Sequence, residues 1–252
     1  MSRLFDCHFH VIDYDFPLVS NQGYMPDSFT VSDYLSKLGS YELVGGAVVS
    51  GSFHAFDQSY LIAALKQLGS NYVGVAQLPI DSSDKQILSL HAAGVRAVRF
   101  NLRRECVDDL KVIDRFSRHV HALCGWHSEF YVDSEALISL ENTLRALPKI
   151  VIDHLGLERG SYSALCRLVE DGASVKATGF GRLDFDAIPV MRRLYEINPH
   201  SIMFGSDLPS TRAPVPFSKA DILLIESAFD DEAMQRLMWQ NALSLYRPRN
   251  LI

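Results

Sequence analysis

Short apolar runs and longer amphipathic stretches alternate along this chain from end to end. The runs lie at 4–10, 44–50, 72–78, 95–101, 129–133, 150–154, 174–179 and 201–206, eight in all. They have the length of strands, and the stretches between them carry helical spacing. In 56–68, Leu61, Leu65 and Leu68 fall on one stripe. The segments 108–123, 134–147, 161–170, 185–197 and 218–229 read as further helices. A last one, 231–246, turns Met234, Leu237, Met238 and Leu245 inward. Boundary residues agree: Ser134 precedes a helix with Glu135 in its first turn, and Pro148 follows its end. Gly69, Gly94 and Gly172 stand where helices should stop. Pro189 weakens the middle of its segment, so that helix is expected to begin there.

Eight strands alternating with helices over 252 residues predict an α/β protein, a (β/α)₈ TIM barrel forming a single domain over 1–252. A doubly wound open sheet is disfavoured, because no Gly-rich phosphate loop follows the first strand. Residues 14–30, rich in Tyr, Pro, Asn and Gly, form a long loop after strand one, expected to cover the barrel mouth.

Composition narrows the function. The formal net charge of −6 argues against a nucleic-acid partner, which requires a basic footprint. No run of 18 or more uncharged apolar residues exists, so no membrane span is expected. The N-terminus enters a strand directly, without a signal-peptide core. Cys7, Cys106, Cys124 and Cys166 are widely spaced and read as reduced thiols of a cytoplasmic protein.

In barrels of this kind catalytic groups stand at the C-terminal ends of strands. Those positions hold His8 and His10 on strand one, Ser50 and Ser52 on two, and Gln77 on three. Arg99 and Asn101 follow on four, Tyr131 on five and His154 on six. Thr178 and Arg182 stand after seven, and Asp207 after eight. Alternation along a strand sends His8 and His10 to one side, Cys7 and Phe9 to the other. Two adjacent imidazoles suit a metal ion or an anionic oxygen, although His-x-His by itself is common. Asp207, in Gly205-Ser206-Asp207-Leu208-Pro209, is either a turn-capping aspartate or a general base or metal ligand. Arg99, Arg103, Arg104 and Arg182 lie on strand ends or just after them, and guanidinium forks bind carboxylates. Arg99 alternates with Val98 and Phe100 on a buried strand, so its charge requires a partner or a ligand. A small anionic substrate is the expectation. The remaining histidines and both tryptophans read as structural or surface residues.

These pieces together resemble the amidohydrolase superfamily, most closely the branch containing pyrone-dicarboxylate lactonase and sugar-lactone enzymes. The resemblance rests on Asp6-Cys7-His8-Phe9-His10, Gly23-Tyr24-Met25-Pro26, Ser52-Phe53 and Gly94-Val95-Arg96-Ala97-Val98-Arg99-Phe100-Asn101. It continues through Val151-Ile152-Asp153-His154-Leu155-Gly156, Gly205-Ser206-Asp207-Leu208-Pro209 and Asn241-Ala242-Leu243-Ser244-Leu245-Tyr246. It implies a distorted barrel that hydrolyses a lactone or related carbonyl compound, with His8, His10, His154 and Asp207 at the reaction centre. It assigns substrate carboxylates to Arg99, Arg103 or Arg104, Arg182, Ser52, Tyr24 and Tyr131. No lysine stands at the end of strand four or five to bridge two metals, so a binuclear site is not expected. The run Ser210-Thr211-Arg212-Ala213-Pro214 departs from the lactonase pattern and adds Arg212 as an anion contact.

The expected reaction is opening of a carboxylated lactone, with Asp207 deprotonating water, Arg182, His8 and His10 stabilising the oxyanion, and His154 orienting the carbonyl. No cofactor is favoured; a single zinc would sit on His8, His10, His154 and Asp207. The rivals are lactone isomerisation, mononuclear zinc-dependent decarboxylation or hydrolysis, and a noncatalytic small-acid binder.

Overall fold

A computed structural model of the chain describes residues 3–104 and 110–249. Cys106 and the start of the helix expected from 108 lie outside the described residues. Eight strands, β1 (Arg3–Phe9), β2 (Glu42–Val49), β3 (Tyr72–Ala76), β4 (Val95–Phe100), β5 (His127–Phe130), β6 (Ile150–Ile152), β7 (Ser174–Ala177) and β8 (Ile202–Phe204), pair in parallel in sequence order. The ring closes just past β8: the Asp207 N–H donates to His8 O at 2.8 Å, and the His10 N–H to Leu208 O at 2.7 Å. Gly205 permits this approach, since a Cβ there would stand 2.8 Å from the His8 nitrogen. This is the expected barrel.

Between strands run α1 (Val31–Leu38), α2 (Ser59–Leu68), α3 (Asp84–Ala93), α4 (Leu110–Cys124), α5 (Ser134–Arg145), α6 (Tyr162–Glu170) and α7 (Ala187–Ile197). After β8 come α8 (Lys219–Glu226), α9 (Asp231–Gln235) and α10 (Asn241–Tyr246). Two of these, α1 and α3, were not expected from the pattern. Both are short, α1 is amphipathic with Val31, Tyr34 and Leu38 buried, and each opens on a capping box, Thr30 with Asp33 and Ser83 with Gln86. Those S/T-x-x-D/Q signatures were the legible signal. The expected helix 231–246 is interrupted by a π-helical turn, Arg236–Gln240. Helix α7 begins at Ala187 rather than at Pro189, which sits within the first turn, where a missing N–H costs nothing. Asp133, not Ser134, caps α5 by accepting from the Ala136 N–H.

Two apolar clusters hold the barrel. The larger lies between strands and helices. The smaller, inside the ring, joins Phe5, Cys7, Ala47, Val49, Val75, Ala97, Val151 and Met203 to Ala242, Leu245 and Tyr246 of α10. Strict alternation in β1 fails here. A register shift between Asp6 and Phe9 leaves Phe9 stacked on Tyr34 of α1 at 3.7 Å, while Cys7 joins the inner cluster. The loop 14–30 folds back over the strand ends through an Ile12–Phe29 bridge and a Val19 N–H bond to Phe53 O at 2.9 Å. Among the described residues no helix is long and apolar enough to cross a membrane.

Candidate active site

A polar pocket opens at the C-terminal ends of the strands. It is lined by His10, Gly51, Ser52, Phe53, Arg99, Asn101, Arg104, Tyr131, His154, Arg182, Asp207, Thr211 and Arg212. His8 lies beneath, its ring 5.2 Å from His10 and 4.9 Å from His154. His8, His10, His154 and Asp207 thus converge at one mouth. Most of these side chains stand on the loops just past the short strands. His154 and Asp207 occupy left-handed backbone, φ 51° and 59°, an uncommon conformation for residues with side chains. Gly179 makes room for His154: a Cβ there would lie 2.8 Å from its Nδ1.

Asp207 is buried, and its two oxygens have different fates. Oδ2 accepts from Arg182 Nε at 2.6 Å, and Arg182 Nη2 is anchored on Thr211 O at 2.7 Å. Oδ1 is buried without a hydrogen-bond partner, as is His8 Nε2, 3.8 Å away. Burial raises the Asp207 carboxyl above its ordinary value, and Arg182 opposes that rise. The histidines move the other way. Burial, reinforced by Lys176, holds His8 well below the usual imidazole range, and burial lowers His10 to about 3. His154 is lowered by burial and by Arg182. All three rings are neutral near pH 7. His10 Nδ1–H donates to Val49 O at 2.7 Å and His154 Nδ1–H to Thr178 O at 3.3 Å, so each leaves Nε2 without a proton.

Under the pocket lies a charge network that sequence reasoning missed. Lys176 of β7 is fully buried. It donates to Glu129 Oε2 and to His8 Nδ1, the latter at 3.2 Å, and lies 3.3 Å from Asp153 Oδ1 in an ion-pair contact without hydrogen-bond alignment. Glu129 Oε1 accepts from Tyr246 Oη at 2.6 Å and from His127 Nε2 at 3.1 Å. Asp153 Oδ2 accepts from Arg99 Nε at 2.9 Å, and Arg99 Nη1 donates to Ser50 O at 3.0 Å. Asp6, pushed up to about 6 by burial, accepts from the Ser206 hydroxyl at 2.6 Å. The readable signal was a charge inside an apolar strand, as in Val175-Lys176-Ala177 and Ser128-Glu129-Phe130.

The arginines divide. Arg99 has a protein carboxylate as partner, so most of its fork is committed, although it still lines the pocket. Arg103 turns away to Asp133 at 3.4 Å and Glu158 at 3.2 Å and does not line the pocket. Arg104 and Arg212 stand at the rim, 3.4 and 3.5 Å from Gln22 Oε1. Tyr24 is one layer back, its ring 4.4 Å beneath the Arg212 guanidinium. Tyr131 lies 5.1 Å under Arg99.

One donor atom each from His8, His154 and Asp207 lies within 4.8 Å of the others. In position and ligand type, two neutral imidazoles and a carboxylate with buried unpartnered atoms, this set fits one divalent ion. His10 is not in it.

A parallel barrel with a buried carboxylate, neutral histidines and arginines at its strand ends defines a TIM-barrel hydrolase. The chain belongs to the amidohydrolase family, whose model matches residues 5–247. It is similar to 2-pyrone-4,6-dicarboxylate hydrolase of Comamonas testosteroni, 25% identical over 98% of this chain and 90% of that protein. It is also similar to 4-sulfomuconolactone hydrolase of Rhizobium radiobacter, 25% identical over 81% of this chain and 75% of that one. Its fold matches the crystal structure of a probable 2-pyrone-4,6-dicarboxylic acid hydrolase from Acinetobacter baumannii with citric acid bound. The TM-score is 0.85 at 23% identity, over 97% of this chain and 99% of that chain.

Proposed function

We propose that this protein hydrolyses a lactone carrying one or more carboxylates, with Asp207 as general base. The observation that carries this reading is the asymmetric carboxylate: one oxygen is fixed by Arg182 and the other is bare, beside neutral imidazoles in a pocket also lined by Arg99, Arg104 and Arg212. Asp207 Oδ1 takes a proton from water as its oxygen attacks the lactone carbonyl. Arg182 holds the negative charge that develops on the carbonyl oxygen. When the ring C–O bond breaks, the leaving oxygen recovers the proton from Asp207, which is again a carboxylate. Arg104 and Arg212 hold the substrate's carboxylates, joined by the outward part of Arg99, with Ser52 and Tyr131 as neutral donors. The same sources of support, two lactone hydrolases among the relatives and a rim of arginines, favour a small anionic substrate over a neutral one. Free thiols at Cys7, Cys124 and Cys166 accord with a reducing, cytoplasmic setting.

The donor set of His8, His154 and Asp207 supports a second reading. A divalent ion held there would supply Lewis-acid polarisation of the carbonyl. Chelation separates the two. In the metal-free reading, turnover of a carboxylated lactone survives exhaustive chelation, and the product carries one oxygen from labelled water. Activity lost to chelator and restored by zinc would transfer Asp207 to the role of ligand. A product without solvent oxygen would point to isomerisation.

The rim gives a further expectation. Arg212→Ala should raise KM for an anionic lactone about tenfold, roughly the 1.4 kcal/mol of one charge-assisted contact, with kcat little changed. Steady-state kinetics on acidic and neutral lactones check it; an equal rise for both would remove the anion-binding role.

A further inference from the structure

We infer that Lys176 is a positioning residue that fixes the tautomer of His8, placing the ring proton on Nε2 so that His8 holds the attacking water against Asp207. The inference rests on the reading of Asp207 as base and deepens it.

Lys176 Nζ lies 3.2 Å from His8 Nδ1. An ammonium has protons to give and no lone pair to accept with, so Nδ1 must be the acceptor. Glu129 and Asp153 on either side keep the lysine an ammonium: it is ion-paired to both. A neutral imidazole that accepts at Nδ1 carries its proton at Nε2. The competing arrangement, Nδ1–H donating to Asp153 Oδ1, would span 3.5 Å, longer than the lysine contact and beyond ordinary hydrogen-bond length. It would also set an N–H against the ammonium.

The consequence falls at the reaction centre. His8 Nε2 and Asp207 Oδ1, both buried and without partners, are 3.8 Å apart. That gap is too long for a direct hydrogen bond, yet one oxygen atom can bridge it. With the proton on Nε2, a water there accepts from His8 and donates to Asp207. Its proton then points at the base and a lone pair remains for the carbonyl carbon. With the proton on Nδ1, two acceptors would face that water and it could turn either way. No side chain among the described residues other than Lys176 donates to His8 Nδ1 in the structure. Lys176 does not line the pocket; its direct contact with the reaction centre is through His8, while its ion pair with Asp153 also joins it to Arg99.

The test is nitrogen NMR of the full chain labelled with ¹⁵N-histidine, the His8 signals being assigned by their loss in His8→Asn. The wild-type protein should show an unprotonated Nδ1 and a protonated Nε2. Since Lys176→Met alone leaves two buried carboxylates short of a cation, the comparison uses Lys176→Met with Glu129→Gln, which removes one charge of each sign. There Asp153 is the only partner left to Nδ1, and the proton should move to Nδ1. Turnover of the carboxylated lactone should fall about 10- to 100-fold in kcat with KM within about twofold, the size of effect known for partners that orient metal-bound histidines. A wild-type His8 protonated at Nδ1 would overturn the inference, even if the double variant cannot be prepared. So would a folded double variant whose kcat is unchanged, or one that loses only KM. If no lactone is turned over by the wild type, the proposed reaction fails, and the tautomer measurement still decides the role of Lys176.

Discussion

Asp207→Asn is expected to leave a folded barrel that turns over a carboxylated lactone 10²–10⁴-fold more slowly, the usual contribution of a general base, so about 3–5 kcal/mol of transition-state stabilisation. The amide keeps the shape, and its oxygen can still accept from Arg182 Nε, but it cannot take a proton from water. The Asp207 N–H to His8 O bond that closes the barrel is a backbone contact, untouched by the change. The rival reading, in which Asp207 only caps the turn before Pro209, predicts near-normal kcat, because Asn caps as well as Asp. The pH profile gives a second signature. Burial raises the Asp207 carboxyl above its ordinary 3.8, and the base works only when ionised. The wild-type kcat/KM should therefore fall as pH drops, with a midpoint above 3.8. That acid limb should be missing from whatever activity Asp207→Asn retains. A variant with wild-type kcat, or with the same acid limb, would exclude Asp207 as the base.

The barrel was legible because its signals are repetitive. Parallel strands wrapped in helices must be apolar runs, and eight of them recur at near-regular spacing. The two helices that were not expected, α1 and α3, are eight and ten residues long; α1 does carry a helical stripe in Val31, Tyr34 and Leu38, α3 has only a weak one in Ile87 and Leu90, and the capping box that opens each was the further signal. The convergence of His8, His10, His154 and Asp207 was also legible, since strand-end positions in a closed ring are neighbours whatever their separation in sequence. Two things were not. Which side chains a strand sends inward depends on register, and the shift in β1 between Asp6 and Phe9 defeats simple alternation. How buried charges pair is a property of three-dimensional proximity: Arg99 finds Asp153 and Lys176 finds Glu129 across distances of 54 and 47 residues. Arg99 was recognised as a charge needing a partner; Lys176 and Glu129, in plain view inside apolar strands, required the same argument. Arg103 is the reverse case, a loop arginine at the right place in sequence that pairs with Asp133 and Glu158 and does not line the pocket.

The commitment of Arg99 changes what its removal should do. Four charges share the buried network: Arg99 and Lys176 on one side of the balance, Asp153 and Glu129 on the other. Arg99→Met takes one cation and leaves two carboxylates with a single ammonium. Breaking a buried pair by removing one partner typically costs 3–5 kcal/mol, because the survivor remains desolvated. Lys176, still 3.3 Å from Asp153, moderates this, and we expect about 3 kcal/mol, or a fall in Tm of roughly 6–12 °C for a chain of this size. Adding Asp153→Asn restores the balance of one ammonium and one carboxylate, and the double variant should recover most of the lost stability. Neither variant recovers substrate binding if the outward face of Arg99 also touches a carboxylate. Thermal melting and lactone kinetics on the pair thus separate two roles that a single substitution confounds. Arg99→Met that melts like the wild type and only raises KM would mean that Asp153 does not depend on Arg99 and that substrate gripping is the whole of its function. A double variant no more stable than the single would show instead that the loss came from packing around the arginine, not from the uncompensated charge.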